Sequence, residues 1–167
     1  MRKGFKKCNW CHEYKRCKHR KGSLKFCTLG HKEKYFENHL PTLIKKTQIE
    51  FNALVASVGA CAKCGKSFEQ IQCSHVFTVG AYPNLRFDIL NALPMDGGHH
   101  RYFWHNEPME AFEWFKGKYP ERYAYLMFAK NQIKPWTMDE VKRIREAIRK
   151  RDLHALVRFK EEFRTST

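Results

Sequence analysis

The stretch Cys61-Ala-Lys-Cys64-Gly65-Lys66, followed by Cys73-Ser74-His75, Asn91, Asp96-Gly97-Gly98-His99-His100 and His105, decides how this chain is read. Two Cys separated by two residues, with Gly next, form a tight turn that aims two thiolates at one tetrahedral ion. Residues 71–77 alternate weakly between apolar and polar and predict a strand. Gly80, Pro83, Asn84 and Asp88 mark a loop. Gly97-Gly98 permits close backbone approach before a helix carrying His99 and His100. Knuckle, strand, long loop and helix together predict a small α+β module stabilised by zinc.

Outward from that segment, the 167 residues carry 32 Lys and Arg against 17 Asp and Glu, a formal charge of +15. Such an excess attracts a polyanion, and releasing counterions from phosphates supplies most nonspecific nucleic-acid affinity. Apolar content of 43% with 14% aromatics is enough for a core and argues against wholesale disorder. No apolar run approaches the roughly 20 residues needed to span a bilayer, and the start, Met1-Arg2-Lys3-Gly4-Phe5, lacks the apolar stretch of a signal peptide. The expectation is a soluble cytoplasmic protein with no membrane partner. Seven Cys, several in Cys-x-x-Cys pairs beside His and Lys, read as zinc ligands rather than disulfides in a reducing compartment.

Residues 1–36 are basic, rich in Cys and His and poor in aliphatics, so they need a metal to fold. Cys8 and Cys11 with Cys27 and His31 make two short knuckles separated by a hairpin-length insert, which predicts a zinc ribbon. Cys17, His12 and His19 compete for the same role. Residues 37–59 form a linker, helical over 41–58: Pro41 suits a first turn, Leu43, Ile44, Phe51, Leu54, Val55 and Val58 recur at three- and four-residue steps, and Gly59 ends it. Residues 60–130 make the central module. There Asn106 is placed to cap a helix with Pro108 in its first turn, and Phe112, Phe115 and Tyr119 read as core. Residues 131–167 are basic helices. Thr137-Met138-Asp139-Glu140 is a capping box, Met138, Val141, Ile144 and Ile148 form an apolar stripe, and a further helix is expected over 152–163. Arg145, Arg149 and Lys150 lie off the stripe and are candidates for phosphate contact.

The chain resembles phage recombination proteins of the NinG/Rap type and related phage HNH (ββα-metal) endonucleases. The resemblance runs from about Cys8 to Tyr125. It is sharpest in the Cys-x-x-Cys-Gly knuckle, in Cys73-Ser74-His75, in the run from Leu85 to Pro94 and in the run from Gly98 to Pro108. It implies a metal-dependent DNA endonuclease, structure-specific or relatively nonspecific, acting on duplex or branched DNA in recombination or DNA processing. Cutting both strands symmetrically would favour a homodimer.

The resemblance assigns His75 as the general base that takes a proton from the attacking water. It assigns Asn91 as the residue whose amide fastens the loop, and His100, nine residues on, as a ligand of the catalytic Mg²⁺ or Mn²⁺. His105 adds a second imidazole if the helix ends or bulges there. Arg86 either clamps a phosphate oxygen or pairs with Asp88 or another carboxylate. Two positions depart from the family pattern. Ser74 stands where many HNH sites carry an acidic or His ligand, a gap that Asp88 or water would fill. Asp96 and His99 stand where family members often have Cys-x-x-Cys. The second structural zinc is therefore expected on Cys61, Cys64 and His99, with Asp96 or Cys73 as fourth ligand. Asp96 also suits a helix cap. On a helix His99 and His100 would point roughly 100° apart, so one can serve zinc and the other catalysis.

Overall fold

A computed structural model describes residues 6–166, without the side chains of Tyr14 and Lys15. The charged start Met1-Arg2-Lys3-Gly4-Phe5, read above as lacking a signal peptide, lies outside the described residues. The architecture is small α+β. The chain divides into two compact units, Met1–Lys46 and Thr47–Thr167. The boundary falls inside a helix rather than at its start, and residues 131–167 belong to the second unit instead of standing apart.

In the first unit β1 (Lys6–Lys7) pairs antiparallel with β2 (Tyr14–Lys15), and β3 (His19–Lys21) with β4 (Leu24–Phe26). Gly22, at φ +57°, supplies the left-handed residue that the two-residue β3–β4 turn needs. The chain then enters α1 (Leu29–Glu37), where Thr28 accepts a hydrogen bond from the His31 amide at 3.1 Å as N-cap. This helix corrects the expectation of a plain ribbon. Phe26, fully buried at the end of β4, draws Tyr35 and Phe36 over it at ring separations of 5.3 and 5.9 Å, and only a helix brings those neighbours to one side. α2 (Leu40–Ala56) follows, burying Leu43, Thr47, Phe51 and Val55 at four-residue steps. Val58 lies past its end and is 63% exposed, so it is not part of the buried stripe as expected.

The second unit is organised by β5 (Ile71–His75) and β6 (Ala92–Asp96), antiparallel in the register Ile71↔Asp96 to His75↔Ala92. The connection between them holds two short 3₁₀ turns, Pro83–Leu85 and Ile89–Asn91. After β6 come a π-helical segment, His99–His105, then α3 (Pro108–Lys118), α4 (Pro120–Ala129), α5 (Met138–Lys150) and α6 (Lys160–Ser166). Glu107, not Asn106, is the α3 cap residue, and it makes no side-chain cap bond. α5 has the full Thr137–Glu140 capping box and buries Val141, Ile144, Ala147 and Ile148. The helix expected over 152–163 is broken into a 3₁₀ turn, His154–Leu156, and α6. Extended backbone at Val157 lets the Arg158 amide reach Asp88 at 3.2 Å, which a continuous helix would forbid. Leu85, Leu93, Met95, Phe115, Leu126 and Phe159 form the centre of the core against which the β5–β6 hairpin packs.

Asp88 is wholly buried beneath that hairpin. Its carboxylate accepts from the Tyr125 hydroxyl and from the Leu90 and Arg158 amides, at 2.9 and 3.2 Å for the latter two. It is spent on the scaffold and does not fill the place left by Ser74. Burial pushes its carboxyl up to about 6 from an ordinary 3.8, against the lowering effect of those donors. The folded chain therefore holds a proton that the unfolded chain releases first. The stabilisation is complete below the unfolded pKa and is lost as pH rises through about 6. Asp88→Asn should flatten the pH dependence of unfolding free energy between about pH 4 and 7, by at most about 1.4 kcal/mol per pH unit. Urea unfolding across that range checks this, and a slope equal to wild type would refute it.

Candidate functional site

Three constellations stand out. The first is Cys8, Cys11, Cys27 and His31, whose ligand atoms all lie within 4.8 Å of one another. The 8–11 knuckle is closed by the His12 amide donating to the Cys8 carbonyl at 3.0 Å, with His12 at φ +59°. Cys27 immediately precedes α1 and His31 lies in its first turn, so the Thr28 cap also sets the spacing of the second ligand pair. Cys11 Sγ is 3.9 Å from Cys27 Sγ, and His31 Nδ1 is 3.8 Å from Cys8 Sγ and 3.0 Å from Cys27 Sγ. Thiolates sharing a tetrahedral zinc at 2.3 Å stand about 3.8 Å apart, so the cage has the right size. Burial raises the Cys8 thiol, but amide donors at Cys11, Cys27 and Trp10, together with His31, outweigh it and bring Cys8 down to about 6. Burial and the neighbouring Cys8 and Cys11 sulfurs push Cys27 up to about 11. Three sulfurs therefore compete for negative charge that only a cation lets all of them carry. The competing candidates Cys17, His12 and His19 are outside the cluster, and Cys17 donates instead to the Lys6 carbonyl at 3.4 Å.

The second cluster is Cys61, Cys64, Asp96 and His99, again within 4.8 Å. The knuckle turns at Gly65, φ +74°, whose amide bonds the Cys61 carbonyl at 2.8 Å, and the Ala62 amide ties it to the Pro94 carbonyl of β6 at 2.7 Å. Asp96 plays two parts. Its Oδ1 accepts from the Gly98 and His99 amides at 2.9 and 3.1 Å, as a cap does, while Oδ2 faces His99 Nδ1 at 2.5 Å. Cys61 Sγ is 3.5 Å from the same Nδ1. The Asp96 carboxyl is held well below the usual carboxylate range: burial raises it, but bonds from Cys61 and His99 prevail. Cys73 is not in this group. Its thiol is half-buried and burial pushes it up to about 12, the state of an inert core thiol. Both clusters can hold a metal ion such as zinc.

The third constellation is a cleft of about 460 Å³ lined by His100, His105, Gln72, Arg101 and Tyr102. His100 and His105 are five residues apart, which on an α-helix would separate them by about 140°. The wider π winding of this segment, with its i→i+5 hydrogen-bond pattern, brings their rings to 4.8 Å instead. His100 Nδ1 is 2.7 Å from Gln72 Oε1, which fixes Nδ1 as the donor and leaves Nε2 with its lone pair outward. His75, at the end of β5, has Nε2 3.3 Å from the Arg86 carbonyl, so that nitrogen carries the proton and Nδ1 is the free acceptor. Burial, helped by the charges of Arg86 and His100 and opposed by the bond to the Arg86 carbonyl, holds His75 below the ordinary histidine pKa of 6.5. Among the described residues no carboxylate or thiol joins these imidazoles in a three-ligand cluster. Ser74 Oγ is buried without a hydrogen-bond partner.

Asn91 is fully buried. Its Oδ1 accepts from the Phe77 amide at 2.8 Å, and its Nδ2 donates to the Phe77 and Leu85 carbonyls at 2.9 and 3.2 Å. Arg86 donates to Gln48 Oε1 at 3.3 Å and makes no bond to Asp88, whose oxygens are occupied as above. Its backbone carbonyl, not its guanidinium, is what reaches His75. Arg145 forms a bidentate pair with Glu50, Arg149 lies 3.5 Å from Glu50, and Lys150 lies 2.7 Å from Glu146. Each of the three residues expected to contact phosphate has a carboxylate neighbour, and Arg149 and Lys150 hold theirs from largely exposed positions where such pairs are weak. Sequence reasoning missed Gln72 and Arg122. Arg122 grips the Ile89, Leu90 and Ala92 carbonyls around Asn91, and nothing in its local sequence signals that role.

No protein-family model, no curated protein and no solved structure matches this chain.

Elemental analysis of purified protein should find close to two zinc per chain. Cys27→Ser and Cys61→Ser should each lower the content by about one and reduce thermal stability, because ligation energy is folding energy at such sites. Full melting stability after complete removal of metal would defeat this expectation.

Proposed function

We propose that this protein is a metal-dependent DNA endonuclease of the HNH (ββα-metal) kind, with two structural zinc ions. The observation that carries the reading is the pairing of His75 Nε2 with the Arg86 carbonyl, in a loop tied by Asn91, with His100 near enough to lower the His75 pKa and His105 against His100. In this reading His75 Nδ1 accepts the proton of the attacking water, and its lowered pKa keeps it neutral at cellular pH. The carbonyl opposite Nε2 fixes the tautomer and steadies the imidazolium that forms. His100, oriented by Gln72, and His105 would hold the divalent ion. When bound, that ion supplies charge stabilisation for the pentacovalent phosphorus and the leaving oxygen. A donor set of imidazoles suits Mn²⁺ as well as Mg²⁺. Arg101, an exposed residue lining the cleft, would meet a phosphate, and the +15 charge of the chain would draw DNA to it. The substrate would be duplex or branched DNA, in phage recombination or DNA processing in the cytoplasm. Among the described residues no helix is long and apolar enough to cross a membrane.

One feature favours a second reading, a zinc-stabilised DNA- or RNA-binding module without catalysis: the cleft lacks a carboxylate ligand among the described residues. Such a module would bind DNA in a salt-dependent way and leave supercoiled plasmid intact in Mg²⁺ or Mn²⁺.

The roles of the two histidines separate kinetically. His75→Ala should bind metal and DNA normally and lose roughly 10²–10⁴ in rate. His100→Ala should lose activity through weaker metal binding, with partial recovery at high Mn²⁺. Wild-type activity should rise with pH through the His75 pKa, below 6.5, and flatten once the imidazole is neutral, and His75→Ala should lack that rise. Recovery of full rate by His75→Ala in high Mn²⁺ would show the roles reversed.

A further inference from the structure

A second concavity, of about 580 Å³, opens in the same unit and shares no lining residue with the histidine cleft. Its walls come from the end of α2, from the 89–94 segment that carries Asn91, and from the irregular chain around His154. Its surface is mostly aliphatic. Val58 and Leu153 stand at 63% and 49% exposure on its walls, although both are large apolar side chains. Apolar exposure of this kind around a hollow marks a place where another molecule is accommodated.

The charges around the hollow say what kind of molecule. Arg122, Arg151 and His154 line it, and no carboxylate does. Arg122 spends its donors on backbone carbonyls, so its positive charge has no bonded counter-anion. Arg151 makes no ion pair among the described residues; it sits in the left-handed conformation at the end of α5, exposed beside the hollow. An adjoining hollow of about 380 Å³ shares Leu90, Arg122, His154 and Val157 and extends the furrow to Lys160; Glu121 is the one carboxylate among its lining residues, beside the cations Arg122 and Lys160. We infer that this furrow docks an acidic protein segment carrying interleaved apolar side chains. The apolar groups would fill the aliphatic floor and the carboxylates would meet Arg151, His154 and Lys160. DNA is a poor occupant because its phosphates gain nothing from an aliphatic floor. A membrane needs apolar side chains that protrude rather than a recess. A second copy would bring its own +15 charge against the same cations.

Fluorescence anisotropy with two labelled peptides of equal length tests this, one interleaving Asp with Leu and Phe, the other with each Asp replaced by Lys. The acidic peptide should bind saturably and at least tenfold more tightly than the basic one. Val58→Glu and Leu153→Glu, both at exposed positions, should each weaken it at least tenfold, and Arg151→Glu by a similar factor, with circular dichroism unchanged. Duplex DNA should not displace it, and His75→Ala should bind it as wild type does, so the result is independent of the nuclease reading. Equal binding of the two peptides, indifference to Val58→Glu and Leu153→Glu, or displacement by DNA would each overturn the inference. So would vesicle binding with phosphatidylglycerol, or dimerisation in sedimentation, that Val58→Glu abolishes, since the furrow would then serve a lipid surface or a second copy.

Discussion

The Asn91 side chain satisfies three backbone groups at once, the amide and carbonyl of Phe77 and the carbonyl of Leu85, in a fully buried setting. Those groups lie in the connection between β5 and β6, where no ladder is available to them. Left without partners they would each cost about 1–3 kcal/mol. Fixing the Leu85 carbonyl also fixes the next peptide, and the Arg86 carbonyl is the group that faces His75. The orientation of the proposed base is therefore a consequence of one amide placed where strand and loop converge. Hydrophobic burial around it supplies stability but no direction.

A ring of polar contacts holds that amide in turn. Arg122 fastens the carbonyls on either side of Asn91, Asp88 receives the Leu90 amide, and Tyr125 joins Asp88 to the Phe159 amide. Arg158 closes the ring by donating to the Asn84 carbonyl at 2.9 Å and by stacking its guanidinium 3.5 Å over Trp136. The C-terminal segment is thus part of the scaffold of the loop, which is why residues 131–167 do not form a unit of their own. It also explains the break between the His154–Leu156 turn and α6, because an uninterrupted helix would bury the Arg158 amide in its own ladder.

What was legible in the sequence was local. The two knuckles, the α2 periodicity and the Thr137 capping box each depend on residues within a few positions, and the ligand group 8–11–27–31 could be proposed from spacing, whereas Asp96 and His99 joined the 61–64 knuckle only through the family resemblance, with Cys73 as the alternative to Asp96. What was not legible depends on distant partners. α1 forms where a ribbon was expected because Phe26 gathers Tyr35 and Phe36. Arg145 finds Glu50 across 95 positions, a pairing that no local pattern announces. Gln72 meets His100 only because β5 packs on the π-helical segment. Sequence placed the imidazoles in one region but could not say that π winding would bring His105 beside His100.

The adjacency of His99 and His100 joins the second metal cluster to the cleft. Asp96 ends β6, caps the π-helical segment through the Gly98 and His99 amides, and contributes to the cluster, all with one carboxylate. A Cβ at Gly98 would stand 3.0 Å from Asp96 Oδ1, so a larger residue there would press on that carboxylate. A cation held by Cys61, Cys64, Asp96 and His99 would thus anchor the first turn of the segment whose second residue is His100. Its ring direction is then set from two sides, by the anchored turn and by Gln72. A structural ion here acts beyond stability: loosening the cluster would free the turn, and with it the aim of the imidazole that faces the cleft.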